Sequence, residues 1–339
     1  MFISEVSISN IRATKNTNIK FLKGINLLYG KNGAGKTTIL ETLFLLLYGK
    51  SFKTSQTKDF IGSFEKFSGA ALKTSLENRI KIEFFDQKKR ITNDGFKIKK
   101  LSDHISFLPC LVFSPDEITI EGKNNSQKQT NINKVLSIIN KEYLENFKKY
   151  NIALKQRNAA LKTGKNFNLW DENIISLSKK IWNKKQQHIK NINQEMEKVN
   201  KNHNTQIKTN VEIKGPKTNT EEIKEDLKKS KEKDMLNKRT NVGPQTDKIK
   251  YTINDKSVKT KASQGEKNLF FSVLKKAESI IVEKETKKDP IILLDDIFSK
   301  LDSKNTNLVL SLFKENPQTI ITHTKKIENQ EINQIQIDA

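Results

Sequence analysis

The sequence predicts an α/β fold interrupted by a mainly helical insertion. Three observations carry that expectation. The first 50 residues alternate apolar and polar positions, then pass from a short apolar run through glycines into a helix-like pattern. From about 130 to 208 there is almost no glycine or proline, and apolar residues recur at helical spacing. After Ser263 a helix, a buried apolar strand, a second helix and a second strand follow in turn. A sheet built from both ends of the chain, with a helical lobe between them, fits this order.

Taken along the chain, Phe2, Val6 and Ile8 sit at strand spacing and Ile19-Lys20-Phe21 reads as a second strand. Ile25 to Tyr29 is an apolar run before glycines, and Thr37 to Tyr48 presents a helical apolar face. Short β-like stretches follow at Ala70 to Leu76, Ile80 to Phe85, Phe96 to Ile98 and Leu111 to Phe113, punctuated by turns such as Asn93-Asp94-Gly95. The character changes near Ser114-Pro115. Val135, Ile138, Ile139, Tyr143, Phe147 and Tyr150 then form one helical face, and 214–250, the most polar part, reads as a solvated helix between loops. Helix resumes from Ser263 to about Val282, Ile291 to Leu294 is a buried strand after Pro290, another helix starts at Ser303, and Thr319 to Thr322 is a last strand. The expected division is 1–115 plus 261–339 for the α/β lobe and 116–260 for the insertion, which leads into 262–267.

Composition narrows the function classes. The 339 residues carry 62 Lys+Arg against 39 Asp+Glu, a net charge of +23, with 35% hydrophobic and 30% charged side chains. The longest apolar run, Leu43 to Tyr48, is far below the ~20 residues that span a bilayer. No basic segment followed by an apolar stretch opens the sequence, so no signal peptide is expected. A single cysteine, Cys110, excludes an intramolecular disulfide and a cysteine-cluster zinc site, and a reducing cytoplasm is the expected compartment. Of the 62 basic residues 57 are lysine, a bias that an AT-rich coding sequence also produces, so the sum alone says little. The distribution says more: 141–250 holds 26 basic and 14 acidic residues, a surplus of +12, against +11 over the other 229 positions. Such a stripe is the usual footprint of a polyanion partner.

The chemistry lies in short motifs. Gly30-Lys31-Asn32-Gly33-Ala34-Gly35-Lys36-Thr37 matches the P-loop pattern G-x-x-x-x-G-K-[ST], between a buried strand and a helix. Its glycines let backbone N–H groups converge on phosphate oxygens at a helix N-terminus, and Thr38 continues that turn. Lys36 is expected to reach the β- and γ-phosphates of ATP, and Thr37 to ligate Mg²⁺. Ile291 to Leu294 followed by Asp295-Asp296 reads as a Walker B strand, with Asp295 holding Mg²⁺ and Asp296 polarising the attacking water as general base. Ser263-Gln264-Gly265-Glu266 has two readings: an ordinary capping box, or a second phosphate-binding helix terminus. A second such terminus ~30 residues before Walker B resembles the signature motif of the ATP-binding-cassette family, in which one subunit's signature, here Ser263 and Gly265, completes another subunit's P-loop site. That resemblance makes Asp302 the D-loop residue at the seam and places His323 where a γ-phosphate-sensing switch histidine stands.

Lys36 and Ser263 are 227 positions apart, more than a compact transporter cassette needs, and two helices sharing 130–208 would each span only ~55 Å, far less than the arms of a chromosome-structuring ATPase. At this point the sequence resembles the RecF family of bacterial recombination mediators over nearly its whole length. Ser9-Asn10-Ile11-Arg12 is similar to that family's opening N-F-R-N, which adds Arg12 to the nucleotide-binding set. Gly30 to Glu41 is similar to its P-loop and following L-E, and Ser51-Phe52-Lys53 to its S-F-R. Phe113-Ser114-Pro115-Asp116-Glu117 resembles F-S-P-E-D, and Leu154 to Lys162 resembles L-K-Q-R-N-x-x-L-K. Ser263 to Glu266 and Leu294 to Asp302 resemble the signature and the Walker B to D-loop segment. Two departures stand out. Gln127-Lys128-Gln129 replaces a cluster of arginines, and Gly243-Pro244-Gln245-Thr246-Asp247 replaces G-P-H-R-D.

The resemblance implies an ABC-type ATPase head that dimerises on ATP, binds single-stranded, gapped or junction DNA and releases it on slow, DNA-stimulated hydrolysis. It also implies action with RecR and RecO to load RecA in DNA repair, replication restart and SOS induction. A transporter ATPase subunit or a P-loop phosphotransferase are the alternatives. The first needs a membrane partner, and the second an acceptor pocket in the insertion with no role for Ser263.

Overall fold

The computed structural model describes residues 1–12, 14–53, 68–85, 88–114, 125–299, 301–329 and 331–338. The expected lobe boundary at 115/116, the Pro115-Asp116-Glu117 element, Gly122 and Lys300 lie outside the described residues. Two compact units emerge: Met1–Ile118 with Val199–Thr205 and Ser263–Ala339, and Thr119–Lys198 with Gln206–Ala262.

The first unit contains two sheets. Strands β1 (Ile3–Ile11), β2 (Thr14–Lys20), β4 (Ser68–Thr74), β5 (Arg79–Phe85), β6 (Lys88–Asn93) and β7 (Phe96–Lys97) form an antiparallel sheet in the order β2-β1-β4-β5-β6-β7. Period-two alternation fixes its faces. Val6 and Ile8 pair with Leu72 and Ala70, these pair with Ile80 and Ile82, and all six are buried. The second sheet, β14-β3-β13-β12-β8, is wholly parallel: β3 (Gly24–Tyr29), β8 (Cys110–Phe113), β12 (Ile291–Leu294), β13 (Gln318–His323) and β14 (Asn333–Gln336). All four residues of β12 are buried, as a strand covered on both faces requires.

Helix α1 (Lys36–Tyr48) is buried continuously from Ile39 to Leu47 because it packs against strands of both sheets. Its apolar residues share one core with β1, β4, β5, β8, β12 and β13. Left-handed glycines bound it, Gly35 at φ 89° and Gly49 at φ 72°, and the Gly49 N–H closes on the Leu45 carbonyl. The unit also holds α2 (Leu101–Ile105), α9 (Gln264–Thr286) and α10 (Ser303–Phe313).

The second unit holds α3 (Asn125–Ile139), α4 (Lys141–Thr163), most of α5 (Asp171–Asn202), α6 (Thr220–Lys229), α7 (Lys231–Asn237) and α8 (Val258–Lys261). The apolar face expected to run through 135–150 is split between two helices. Asn140 ends the first and caps the second by accepting the Tyr143 N–H. The unit is not purely helical: β9 (Thr209–Lys214), β10 (Lys248–Ile253) and β11 (Lys256–Ser257) form an antiparallel sheet. The solvated helix expected over 214–250 is two short helices that end in this sheet.

Charged groups are part of this unit's core. Arg157, 1% exposed, donates to Asp171 at 2.8 Å, to Asp234 at 2.7 Å and to Thr240 at 2.9 Å. Asn158 accepts from Thr240. Lys185 and Trp182 both donate to Asp247, at 2.8 and 2.7 Å, and Tyr150 donates to Gln245. Arg157→Ala leaves Asp234 buried without its cation, so the expected loss is about 3–5 kcal/mol of unfolding free energy, read from denaturant midpoints at constant slope.

Candidate nucleotide-binding site

Because the second sheet is parallel, β3, β12 and β13 end on the same edge, where ligands of such sheets bind. The loop from β3 into α1 turns through Gly33 and Gly35, both left-handed at φ 87° and 89°, so a side chain at either is strained. Gly30 is required for another reason. A Cβ there would lie 2.2 Å from the Ile337 carbonyl oxygen, where the C-terminal segment crosses the loop.

Lys36 Nζ donates to the carbonyls of Gly30 and Lys31, each at 2.7 Å, which bends the lysine back over its own loop. Thr37 Oγ1 donates to Asp295 Oδ1 at 2.9 Å. Thr322 Oγ1 donates to the same oxygen at 2.8 Å and accepts the Asp296 N–H at 2.8 Å. Asp296 takes φ 48°, a conformation that costs a non-glycine residue energy unless its neighbours hold it. Thr322, 1% exposed at the end of β13, is one such neighbour. It is absent from the sequence-predicted set, and only its place before His323 hints at it.

Asn32, Gly33, Gly35, Lys36, Thr37, Thr38, Asp295 and Asp296 line one cavity of about 240 Å³. That is below the roughly 300–1,000 Å³ that encloses a whole organic ligand, and suits a polyphosphate tail. Burial raises the Asp295 carboxyl above its ordinary range, opposed by the hydrogen bonds from Thr322 and Thr37 and by the charge of Lys53. Burial likewise lowers Lys36, with Asp296 and Asp295 opposing it. Thr37 and Asp295 bring a hydroxyl and a carboxylate together beside the P-loop, the hard donors that Mg²⁺ takes alongside phosphate oxygens and waters.

His323 Nδ1 lies 3.9 Å from Asp296 Oδ1, and Phe298 holds the imidazole edge to face at 5.8 Å. Ser263, Gly265, Asp302 and Arg12 do not line the cavity. Ser263 and Glu266 form a reciprocal capping box at the start of α9, and Asp302 caps α10 by accepting the Asn305 N–H at 2.7 Å. Arg12 pairs with the buried Glu41 at 2.8 Å. Asn268, also unforeseen, donates from α9 to the carbonyls of Ile297 and Ser299, both at 2.8 Å, and so ties the helix behind Ser263 to the segment after Asp296.

The AAA domain family matches residues 5–233. The chain is 32% identical to the DNA replication and repair protein RecF of Thermoanaerobacter sp. (strain X514), over 96% of this chain and 95% of that protein. The chain belongs to the RecF family. The RecF of Acholeplasma laidlawii is 29% identical over 94% and 93% of the two chains. Among solved structures, the recombination mediator protein RecF-ATP in the RecFOR pathway superposes with a TM-score of 0.84 at 27% identity, over 97% of this chain and 95% of that one. An Smc head bound to the C-winged helix domain of ScpA gives 0.57 at 16% identity, over 96% and 90%, and shares the fold alone. The architecture is thus that of an ABC-type ATPase head, found in RecF and Smc proteins alike.

Replacing Thr322 by valine keeps the shape and removes both hydrogen bonds. ATP turnover is expected to fall more than tenfold while Thr322→Ser retains most of it, and the valine variant loses about 1–3 kcal/mol of stability. Steady-state phosphate release and thermal unfolding check the two effects.

Proposed function

We propose that this chain is an ATP-gated DNA-binding recombination mediator whose nucleotide site is completed by a second copy of itself. One observation carries the reading: Thr37, Asp295 and Thr322 join the P-loop, Walker B and the switch strand at one cavity, while Ser263, Gly265 and Asp302 stay out of it. A cavity lined without the signature and D-loop residues of its own chain supports a site completed by another copy.

In this reading the backbone from Gly30 to Thr38 cradles the phosphates and Lys36 leaves its carbonyl partners for the β- and γ-oxygens. Thr37 and Asp295 would hold Mg²⁺, which would offset the negative charge of the phosphates when bound. Asp296 takes the proton of the attacking water, and His323 at its side senses the γ-phosphate. Ser263 and the N–H groups at the start of α9 in a second copy bind that same γ-phosphate, and Asp302 lies at the seam. ADP lacks the bridging group, so the closed pair opens after hydrolysis.

The closed pair grips gapped or junction DNA through exposed lysines of the 141–250 segment. Arg157 and Lys185 drop out of that surface because both are buried in ion pairs. Gln245 drops out as well, since its side chain donates to the Thr240 and Val242 carbonyls. DNA stimulates a weak ATPase, and in the cytoplasm RecR, RecO and RecA act with the protein in repair, replication restart and SOS induction. The ATPase lobe corresponds to the first unit, which adds Val199–Thr205 to the two ends of the chain, and the DNA-facing insertion to the second.

Sedimentation with nucleotide tests the shared site. Lys36→Ala is expected to abolish ATP-dependent dimerisation, and Ser263→Arg to abolish it while monomer ATP binding persists. Equal dimerisation in wild type and both variants overturns the reading. DNA titrations across salt with ATP, ADP and no nucleotide are expected to show a steep salt slope and tighter binding with ATP.

A further inference from the structure

Three of the family-like motifs find their place outside the phosphate loop. Arg12 of the opening strand, Glu41 of the L-E pair and Ser51-Phe52-Lys53 meet in one cluster. Glu41 is 1% exposed in the middle of α1. Its Oε1 accepts Arg12 Nη2 at 3.0 Å and the Ser51 hydroxyl, and the ion pair with Arg12 also brings Nη2 within 2.8 Å of Oε2. Ser51 in turn accepts the Lys53 N–H at 2.8 Å. The relay ends at the metal side of the site, with Lys53 Nζ 4.0 Å from Asp295 Oδ2. The other carboxylate oxygen, Oδ1, is taken by Thr37 and Thr322. A nearby cation offsets the cost of a buried carboxylate, and Lys53 stands at ion-pair distance from this one.

We propose that Lys53 is the exchange partner of Mg²⁺ at Asp295. Its ammonium balances the carboxylate when the divalent ion is away and withdraws when Mg·nucleotide enters, and the Arg12–Glu41–Ser51 clamp sets the backbone from which it reaches. Lys53 suits that part because it is held loosely. Its side chain keeps 31% of its exposure, its backbone is fixed at the Ser51 hydroxyl, and a four-carbon stem lets the charge move without the loop moving. Lys36 is unavailable, since it is bonded to two loop carbonyls at 2.7 Å. Lys53 is therefore a competitor of the metal, and Mg²⁺ entry works against its attraction to Asp295.

The inference rests on the Mg·nucleotide reading, and its test separates the two. A fluorescent ADP analogue at fixed concentration is titrated with MgCl₂ against the full-length wild-type protein, Lys53→Gln, Lys53→Arg and Ser51→Ala, with thermal unfolding confirming that each variant folds. ADP is used so that no second copy enters the signal. The half-saturating Mg²⁺ concentration is expected to fall about fivefold in Lys53→Gln, the factor that ~1 kcal/mol for a partly exposed ion pair supplies. Lys53→Arg is expected to stay near wild type, and Ser51→Ala to shift in the direction of Lys53→Gln. An unchanged or higher half-point in Lys53→Gln overturns the exchange while leaving the nucleotide site intact. No Mg²⁺-dependent binding by the wild type overturns the nucleotide reading and the exchange with it.

Discussion

The hydrogen bonds onto Asp295 are the constraint on which the site depends. Its carboxylate is 3% exposed at the end of a strand buried on both faces. The Asp295 N–H is spent on the Phe113 carbonyl, so the side chain cannot turn to its own backbone for relief. Two hydroxyls from other elements, Thr37 at the start of α1 and Thr322 at the end of β13, converge on one oxygen, and Lys53 stands near the other. An unsatisfied charge there would be costly, so the same contacts that make the fold tolerable also aim the site. Thr322 extends the constraint by one residue, because the hydroxyl that binds Asp295 also receives the N–H of the left-handed Asp296.

Helix α1 carries this arrangement into the rest of the unit. Buried between the two sheets, it presents Lys36 and Thr37 at its open end and Glu41 one turn further in. Glu41 then fixes Arg12 and the Ser51–Lys53 segment. A chemical terminus and a structural clamp thus share one rigid helix, which gives the separation in sequence of Arg12, Lys36, Lys53, Asp295 and Thr322 a common cause.

Much of this was legible in the sequence, for reasons that differ by element. The P-loop and Walker B are local patterns with local geometry, so Gly33, Lys36, Thr37, Asp295 and Asp296 could be placed from spacing alone. Both readings of Ser263 bear on the same helix end, and the capping box is formed within the chain. Thr322 and Asn268 were not legible as site residues, because each acts through a partner distant in sequence and neither has a pattern of its own; the Glu41 clamp was present as three separate motifs, and only the fold brings them together. Strands β9 and β10 were missed although Val211, Ile249, Tyr251 and Ile253 are buried at period two, because both lie at the ends of the lysine-rich 214–250 stretch read as a solvated helix: Thr209-Asn210-Val211-Glu212-Ile213-Lys214 pairs with Lys248-Ile249-Lys250-Tyr251-Thr252-Ile253. The net charge of +23 mixes two kinds of lysine and arginine, surface residues and core ions such as Arg157 and Lys185, which only burial separates. The L-K-Q-R-N-like and G-P-Q-T-D segments accordingly hold the second unit together through Arg157, Asn158 and Asp247.

A cross-link reads out whether Ser263 of one copy completes the P-loop of another. In a chain carrying Asn32→Cys, Ser263→Cys and the hydrolysis-slowing Asp296→Asn, with the buried Cys110 changed to serine, a short bis-thiol reagent reports whether the two positions meet. A cross-linked dimer is expected with Mg·ATP, little with ADP or without nucleotide, and none when either engineered cysteine is absent. Cross-linking that is equal with ATP and ADP, or confined to single chains, would contradict the shared site.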